Sequence, residues 1–99
     1  MPYLIETYDD PASAHVRQER YQEHLDFLDR NASLLLACGA KLSDDGARAD
    51  GGIYLVDLDS REEAEELIAQ DPFSQGGLFR KVVVQRWRKA YLDGTCHLS

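Results

Sequence analysis

The chain has 99 residues, 43% of them hydrophobic and 29% charged, which is typical of one folded globular domain and excludes a disordered chain. Its net charge is −7, from 18 acidic and 11 basic residues, so nucleic acid and anionic membranes are not expected partners. No apolar run approaches the about 20 residues that span a bilayer, and no charged and apolar leader opens the sequence, so we expect a cytoplasmic protein.

Cysteine and histidine spacing supports neither a disulfide framework nor a metal site. Cys38 and Cys96 form no CxxC pair. Together with His15, His24 and His97 they never reach the spacing of zinc ligands. Neither GxGxxG nor a P-loop pattern is present for a nucleotide. The sequence therefore predicts a reduced protein that needs no metal or other cofactor.

The first part of the chain predicts a strand and then a helix. Residues 3–8 are rich in aromatic and β-branched side chains and end at a turn cluster. Ser13 is the expected N-cap of a helix that runs to Arg30 without a breaker. At about 100° per residue, one stripe is expected to face the sheet and a second stripe lies beside it. The first comprises Tyr21, Leu25, Leu28 and Ala32, and the second comprises Arg20, His24 and Phe27.

Two strands and a second helix follow. The apolar run 33–40 predicts a strand in which Cys38 is a small buried side chain, and residues 43–52 predict a loop. Residues 53–58 predict a third strand. Ser60 and Glu63 have the spacing of a capping box at the start of the second helix, whose buried stripe is Ala64, Leu67 and Ile68.

The second helix is expected to end at Asp71, because Pro72 disfavours a helical conformation in the residue before it. Residues 71–77 then predict a loop, and residues 79–87 predict a fourth strand. Tyr8, Tyr54 and Trp87 could line a pocket or fill the core, and the core is favoured. Residues 93–99 show no periodicity and predict a mobile tail.

The order strand, helix, strand, strand, helix, strand predicts a split βαβ repeat. This α+β arrangement has a four-stranded antiparallel sheet with both helices on one face. The other face then needs a cover, and a second copy of the chain is the economical one, so we expect a homodimer.

His24 and Asp71 are the candidate acid–base pair. A carboxylate beside an imidazole fixes its tautomer and favours the imidazolium, and both predicted helices lie on the same side of the sheet. The same residues also fit a structural interpretation, in which His24 is half-buried and Asp71 caps a turn.

Several of these residues form a pattern that resembles the YciI-like, or YCII-related, proteins. The resemblance extends from residue 3 to about residue 91, so we expect a YciI-like domain over residues 2–91 and a C-terminal tail over 92–99. It implies a ferredoxin-like fold with dimeric α/β-barrel-type packing. The pattern consists of Arg20, His24-Leu25, the strand 35–39, and Ala69-Gln70-Asp71-Pro72-Phe73 followed by Gly77 and Phe79.

The resemblance also implies a site. His24 and Asp71 would be catalytic, while Arg20, Phe73 and Gly77 would contact a small-molecule substrate. One characterised branch of the family dehydrochlorinates a chlorinated hydroxyquinol. This chain departs from many relatives at Gly51-Gly52, where they have Gly-Ser, and at 85–87, where Pro-Phe is common.

The sequence thus favours a cofactor-free lyase or isomerase that transfers a proton on a small organic molecule. A non-catalytic metabolite-binding module and a purely structural oligomerising domain are the two alternatives.

Overall fold

The structure is a computed structural model that describes residues 1–98. Its main sheet has four antiparallel strands in the order β2–β3–β1–β4, which confirms the predicted ferredoxin-like α+β fold. The elements are β1 (Tyr3–Asp9), a 3-10 turn (Pro11–Ser13), α1 (His15–Glu19), α2 (Tyr21–Arg30), a second 3-10 turn (Ala32–Leu34), β2 (Leu35–Leu42), β3 (Ala49–Val56), α3 (Arg61–Ala69), α4 (Pro72–Gln75), β4 (Phe79–Arg86), β5 (Tyr91–Leu92) and β6 (Thr95–Cys96).

The register of the sheet separates a core face from an open face. Tyr3 lies opposite Val56, and Ile5 lies opposite Tyr54, so alternate residues of β1 and β3 point to the same side. These residues form the main core cluster with side chains of α2 and α3. The cluster consists of Tyr3, Ile5, Phe27, Tyr54, Val56, Ala64, Leu67 and Ile68.

The first helical region is interrupted, contrary to the prediction of one helix capped by Ser13. Ser13 ends the 3-10 turn, whose cap is Asp10, and the chain leaves helical geometry at Arg20 (φ −106°, ψ 15°) between α1 and α2. The predicted buried stripe was also wrong. The buried residues of α2 are His24 and Phe27, and Phe27 belongs to the main core cluster. Tyr21, which was predicted to be buried, is 53% exposed.

The two middle strands are shifted from their predicted ranges, β2 towards higher and β3 towards lower residue numbers. β3 begins at Ala49 and includes Gly51 and Gly52, which the sequence assigned to a loop. A Cβ on Gly51 would collide with the backbone oxygen of Thr7, so only glycine fits at this close approach of two strands. Cys38 is exposed on the edge strand β2, so its predicted burial was wrong.

The start and end of the second long helix were predicted correctly. The Ser60 hydroxyl accepts a hydrogen bond from the Glu63 N–H and donates one to the Glu63 carboxylate. After Ala69 the chain does not form a simple loop, because Pro72 starts the short helix α4. Pro72 suits that first helical position, where its missing N–H costs nothing.

The end of the chain contains a hairpin where the sequence predicted a mobile tail. β5 and β6 pair through Asp93 and Gly94, whose positive φ values (52° and 76°) are those of a tight hairpin turn. Ser99, the last residue of that predicted tail, lies outside the described residues. Within residues 1–98 no helix has the length and apolar character required to cross a membrane.

Candidate acid–base site

Asp71 is placed by the junction of α3 and α4. Pro72 holds it in an extended conformation (φ −62°, ψ 129°), and its carboxylate caps α4 by accepting from the Phe73 N–H at 2.9 Å. The residue is 0% exposed. A carboxylate removed from water in this way must be compensated by hydrogen-bond donors.

Two side chains supply those donors. His24 Nδ1 lies 2.9 Å from Oδ1 and 3.0 Å from Oδ2 of Asp71, and the Tyr54 hydroxyl donates to Oδ2 at 2.7 Å. Burial first, and then the negative charge of Asp71, raise the pKa of Tyr54 above its usual value of 10.0. The tyrosine therefore stays protonated and acts as a donor. The result is a hydrogen-bonded chain of Tyr54, Asp71 and His24.

The ring of His24 is fixed by stacking as well as by the carboxylate. It lies parallel to the Phe73 ring, with centroids 4.0 Å apart and 12° between the planes. Because an ionised carboxylate only accepts hydrogen bonds, Nδ1 carries a proton. Within residues 1–98, Nε2 has no hydrogen-bond partner, and no buried side-chain nitrogen or oxygen is unsatisfied. Nε2 is therefore reached by solvent.

A cleft of about 200 Å³ opens beside His24, between α2 and the edge formed by β2 and β3. Larger depressions occur near Trp87, near Asp10 and along residues 37–41 of β2, but none of these three is lined by His24. The cleft is smaller than the about 300–1,000 Å³ typical of sites for drug-sized ligands, so a compact molecule fits it best. Its lining residues are Arg17, Tyr21, His24, Leu25, Leu28, Cys38, Gly39, Ala40, Gly51, Gly52, Tyr54 and Phe73.

The structure brings together some of the site residues that the sequence predicted and leaves others outside the cleft. His24, Asp71 and Phe73 come together, with His24 and Phe73 lining the cleft. Arg20 does not line it; its guanidinium pairs with Glu23 at 3.5 Å and its stem lies against Gly76. Gly77 does not line it either and instead makes a turn at φ 77°.

The arginine at the cleft is Arg17, which the sequence analysis did not single out. Arg17 lies two helical turns before His24, so a helix drawn through both residues would have placed them on one face. Tyr54 was considered a core residue, and it is one, at 4% exposed. A buried tyrosine hydroxyl requires a hydrogen-bond partner, and this requirement could have indicated that Tyr54 contacts a polar group such as Asp71.

Cys38 lines the cleft as a protonated thiol. Although part of its surface reaches solvent, burial and then the negative charge of Asp71 raise its pKa from 9.0 to about 11. Since the thiolate is the nucleophilic form, the raised pKa makes Cys38 a weaker nucleophile than an ordinary cysteine near neutral pH. The group at the cleft suited to proton transfer is the imidazole of His24.

Comparisons with known proteins agree with the fold. The family model of the YCII-related domain matches residues 1–88. Among solved structures, 5-chloro-2-hydroxyhydroquinone dehydrochlorinase (TftG) from Burkholderia phenoliruptrix AC1100, in complex with 2,5-dihydroxybenzoquinone, is 29% identical. It matches over 89% of this chain and 94% of its own, with a TM-score of 0.81.

Other matches are more distant. An antibiotic biosynthesis monooxygenase is 15% identical over 90% of this chain and 100% of its own, with a TM-score of 0.49. An EthD family protein from Bacillus halodurans is 16% identical over 89% and 99%, with a TM-score of 0.48. No curated protein matches this sequence significantly.

Proposed function

Because this chain belongs to the YCII-related domain family, we propose that it catalyses cofactor-free proton transfer or elimination on a small organic molecule. His24 is the acid–base residue and Asp71 is its partner. The observation that carries the proposal is the buried His24–Asp71 hydrogen bond at 2.9 Å, beside a cleft that His24 lines. A free imidazole nitrogen next to a compact binding space is the arrangement that proton transfer requires.

The charge arrangement supports this role. With Nδ1 donating to Asp71, neutral His24 has a lone pair on Nε2 and acts as a base. The imidazolium that forms after proton abstraction is stabilised by the Asp71 carboxylate, which lies 2.9 Å from Nδ1. Tyr54 and the Phe73 N–H keep the carboxylate in position, so little reorganisation accompanies the transfer.

An elimination reaction at this site is balanced without a redox partner. His24 Nε2 takes a proton from the substrate, and the electrons of the broken bond form a new double bond. The leaving anion, chloride in a dehydrochlorination, departs with the electrons of its own bond. The similar structure TftG, named as a dehydrochlorinase and bound to a dihydroxybenzoquinone, supports a ring compound of this kind as the first substrate to test.

A homodimer is the second part of the proposal. The sheet face opposite the helices has an apolar patch of Leu4, Ile53, Leu55 and Val83, in which Ile53 is 39% exposed and the other three are partly exposed. Stacking the same face of a second copy on it removes this surface from water. Light scattering should give the mass of a dimer for the parent and of a monomer for Ile53→Glu. A monomeric parent would exclude this assembly.

The test of activity is a turnover assay with matched histidine variants. The parent is incubated with 5-chloro-2-hydroxyhydroquinone and related hydroxylated rings, and chloride release and ultraviolet absorbance are followed. His24→Gln and Asp71→Asn should lose at least about 100-fold in kcat, since a positioned acid–base group contributes about 10²–10⁴-fold. His15→Gln is the control, because His15 is an exposed residue of α1 that does not line the cleft.

Two results would contradict the proposal. Full activity in folded His24→Gln would exclude His24 as the acid–base group. A ligand that binds the cleft saturably and is recovered unchanged would favour the non-catalytic binding module.

A further inference from the structure

The Arg17 guanidinium is held rigidly at the cleft. Its Nε donates to Asp9 Oδ2 at 2.9 Å, and its Nη2 donates to Asp9 Oδ1 at 3.1 Å and to the Gly51 carbonyl at 3.4 Å. Its carbon Cζ lies 4.9 Å from the centre of the Phe73 ring. Only 21% of the Arg17 side chain and 8% of the Asp9 side chain are exposed. Because Asp9 and Gly51 hold the guanidinium by hydrogen bonds and the Phe73 ring lies against it, the Arg17 side chain loses little conformational entropy when a ligand binds to it.

These contacts use one edge of the guanidinium and leave Nη1 unused. Within residues 1–98, Nη1 donates to no protein atom, although an arginine has five N–H groups to donate. No buried side-chain nitrogen in that part of the chain lacks a partner, so Nη1 is reached by solvent. Since Arg17 lines the cleft, its unused donors are available to a molecule bound there.

The floor of the cleft is formed by residues with small side chains or none. Ala40 and Gly52 lie opposite each other on β2 and β3, on the side of the sheet that carries the helices. Gly52 presents no side chain, and the position of a Cβ there is bounded by the Gly39 carbonyl oxygen, the Thr7 hydroxyl and the Tyr54 ring at 3.2–3.6 Å. Leu25 and Leu28 provide apolar walls above this floor. The same space contains His24, 9% exposed, whose Nε2 also has no protein partner in the described residues.

We propose that Arg17 is the specificity-determining residue of the cleft and binds an anionic oxygen on a planar ring, either a carboxylate or a phenolate. This inference deepens the proposed function and rests on the same cleft. The ring lies in the cleft, its oxygen accepts from Arg17 Nη1, and its reacting proton is presented to His24 Nε2. The guanidinium thereby pairs with the negative charge of the ring oxygen and orients the ring for proton transfer to His24.

Equilibrium binding tests this inference independently of turnover. Isothermal titration calorimetry is carried out with benzoate, with 4-nitrophenolate, and with benzamide as an uncharged relative of benzoate. We expect Arg17→Gln to weaken binding of at least one anion by about 10- to 100-fold, the size of a lost charge-assisted hydrogen bond, and to leave benzamide within about twofold. The two anions distinguish a carboxylate site from a phenolate site.

The chain offers a matched control and a safeguard for folding. Arg20→Gln makes the same chemical change one turn away, outside the cleft, and should leave binding of both anions unchanged. Arg17→Gln alone leaves Asp9 without its cation, so the double variant Asp9→Asn/Arg17→Gln removes both partners of the ion pair and keeps the fold testable.

Three results would overturn the inference. These are a parent protein that binds neither anion, an Arg17 variant that binds them as tightly as the parent, and an equal loss of benzamide and benzoate. Arg17-dependent binding in a protein that transforms no substrate would leave this inference intact and refute only the proposed function.

Discussion

Tyr54→Phe is the most informative single change, because it removes one oxygen from the Tyr54–Asp71–His24 chain and leaves the ring in the core. Tyr54 is 4% exposed and its hydroxyl donates to Asp71 Oδ2 at 2.7 Å. After the change, Oδ2 keeps only the His24 N–H at 3.0 Å. Asp71 then has one donor fewer in a site without water access, so the folded state loses stability.

The expected loss is about 2 kcal/mol at neutral pH, the middle of the range of about 1.5–3 kcal/mol for a hydrogen bond to a charged group. An unfolding entropy of about 2.1 cal/mol/K per residue over 99 residues gives about 0.2 kcal/mol/K. The melting temperature should therefore fall by about 10 °C. Tyr91→Phe is the control, since Tyr91 is 62% exposed and should leave stability unchanged.

The difference in stability between Tyr54→Phe and the parent should become smaller at alkaline pH. The folded protein raises the pKa of Tyr54 above the unfolded value of 10.0. Above pH 10 the unfolded chain loses this proton while the folded chain keeps it, so the parent loses about 1.4 kcal/mol of stability per pH unit through this group. Below pH 10 its contribution is fully present. The phenylalanine variant lacks this loss, so its deficit of about 2 kcal/mol should close by about pH 11.5.

Urea unfolding followed by the fluorescence of Trp87, the single tryptophan, measures both quantities in parent and variant from neutral to alkaline pH. Equal stability of Tyr54→Phe and parent at neutral pH would show that the hydroxyl does not support Asp71. A deficit that stays constant above pH 10 would show that the Tyr54 proton is not held by the fold.

Three further predictions concern single positions. Near neutral pH, iodoacetamide should modify Cys38 much more slowly than Cys96, and modification of Cys38 should become faster as the pH approaches 11. Mass spectrometry measures both rates, and equal rates near neutral pH would contradict the raised pKa of Cys38. Gly51→Ala should lower the free energy of unfolding in urea by about 3 kcal/mol, because its Cβ meets the Thr7 backbone oxygen. Gly39→Ala is the control and should be nearly neutral, because its Cβ meets nothing within 4 Å. Similar losses for the two variants would refute the steric argument. Ser60→Ala removes the cap of α3 and should cost about 1 kcal/mol, and an unchanged unfolding midpoint would show that the capping box adds nothing.

Local signals in the sequence were sufficient for much of the fold. The Ser60–Glu63 spacing located the start of α3, and Asp71-Pro72 located its end, because each depends on backbone groups only a few residues away. The alternation of strands and helices gave the sheet topology. The buried stripe of α2 was misassigned because periodicity defines a face but not the side on which the partner lies.

The candidate site could likewise be predicted only in part. His24 and Asp71 could be proposed from residue type and from the family resemblance, but their hydrogen bond joins positions 47 residues apart. The contributions of Tyr54 and Arg17 depend on how α1, α2 and β3 are rotated against one another.

The sequence by itself thus determined the four main strands, the two main helical regions and their order, since these follow from interactions between near neighbours in the chain, and its residue types and family resemblance indicated the acid–base candidates. Only the tertiary structure decided which hydroxyl supports Asp71, which arginine lines the cleft and which histidine nitrogen is free. The physical reason is that these atoms are positioned by packing between distant segments, where a small rotation of a helix exchanges one side chain for another.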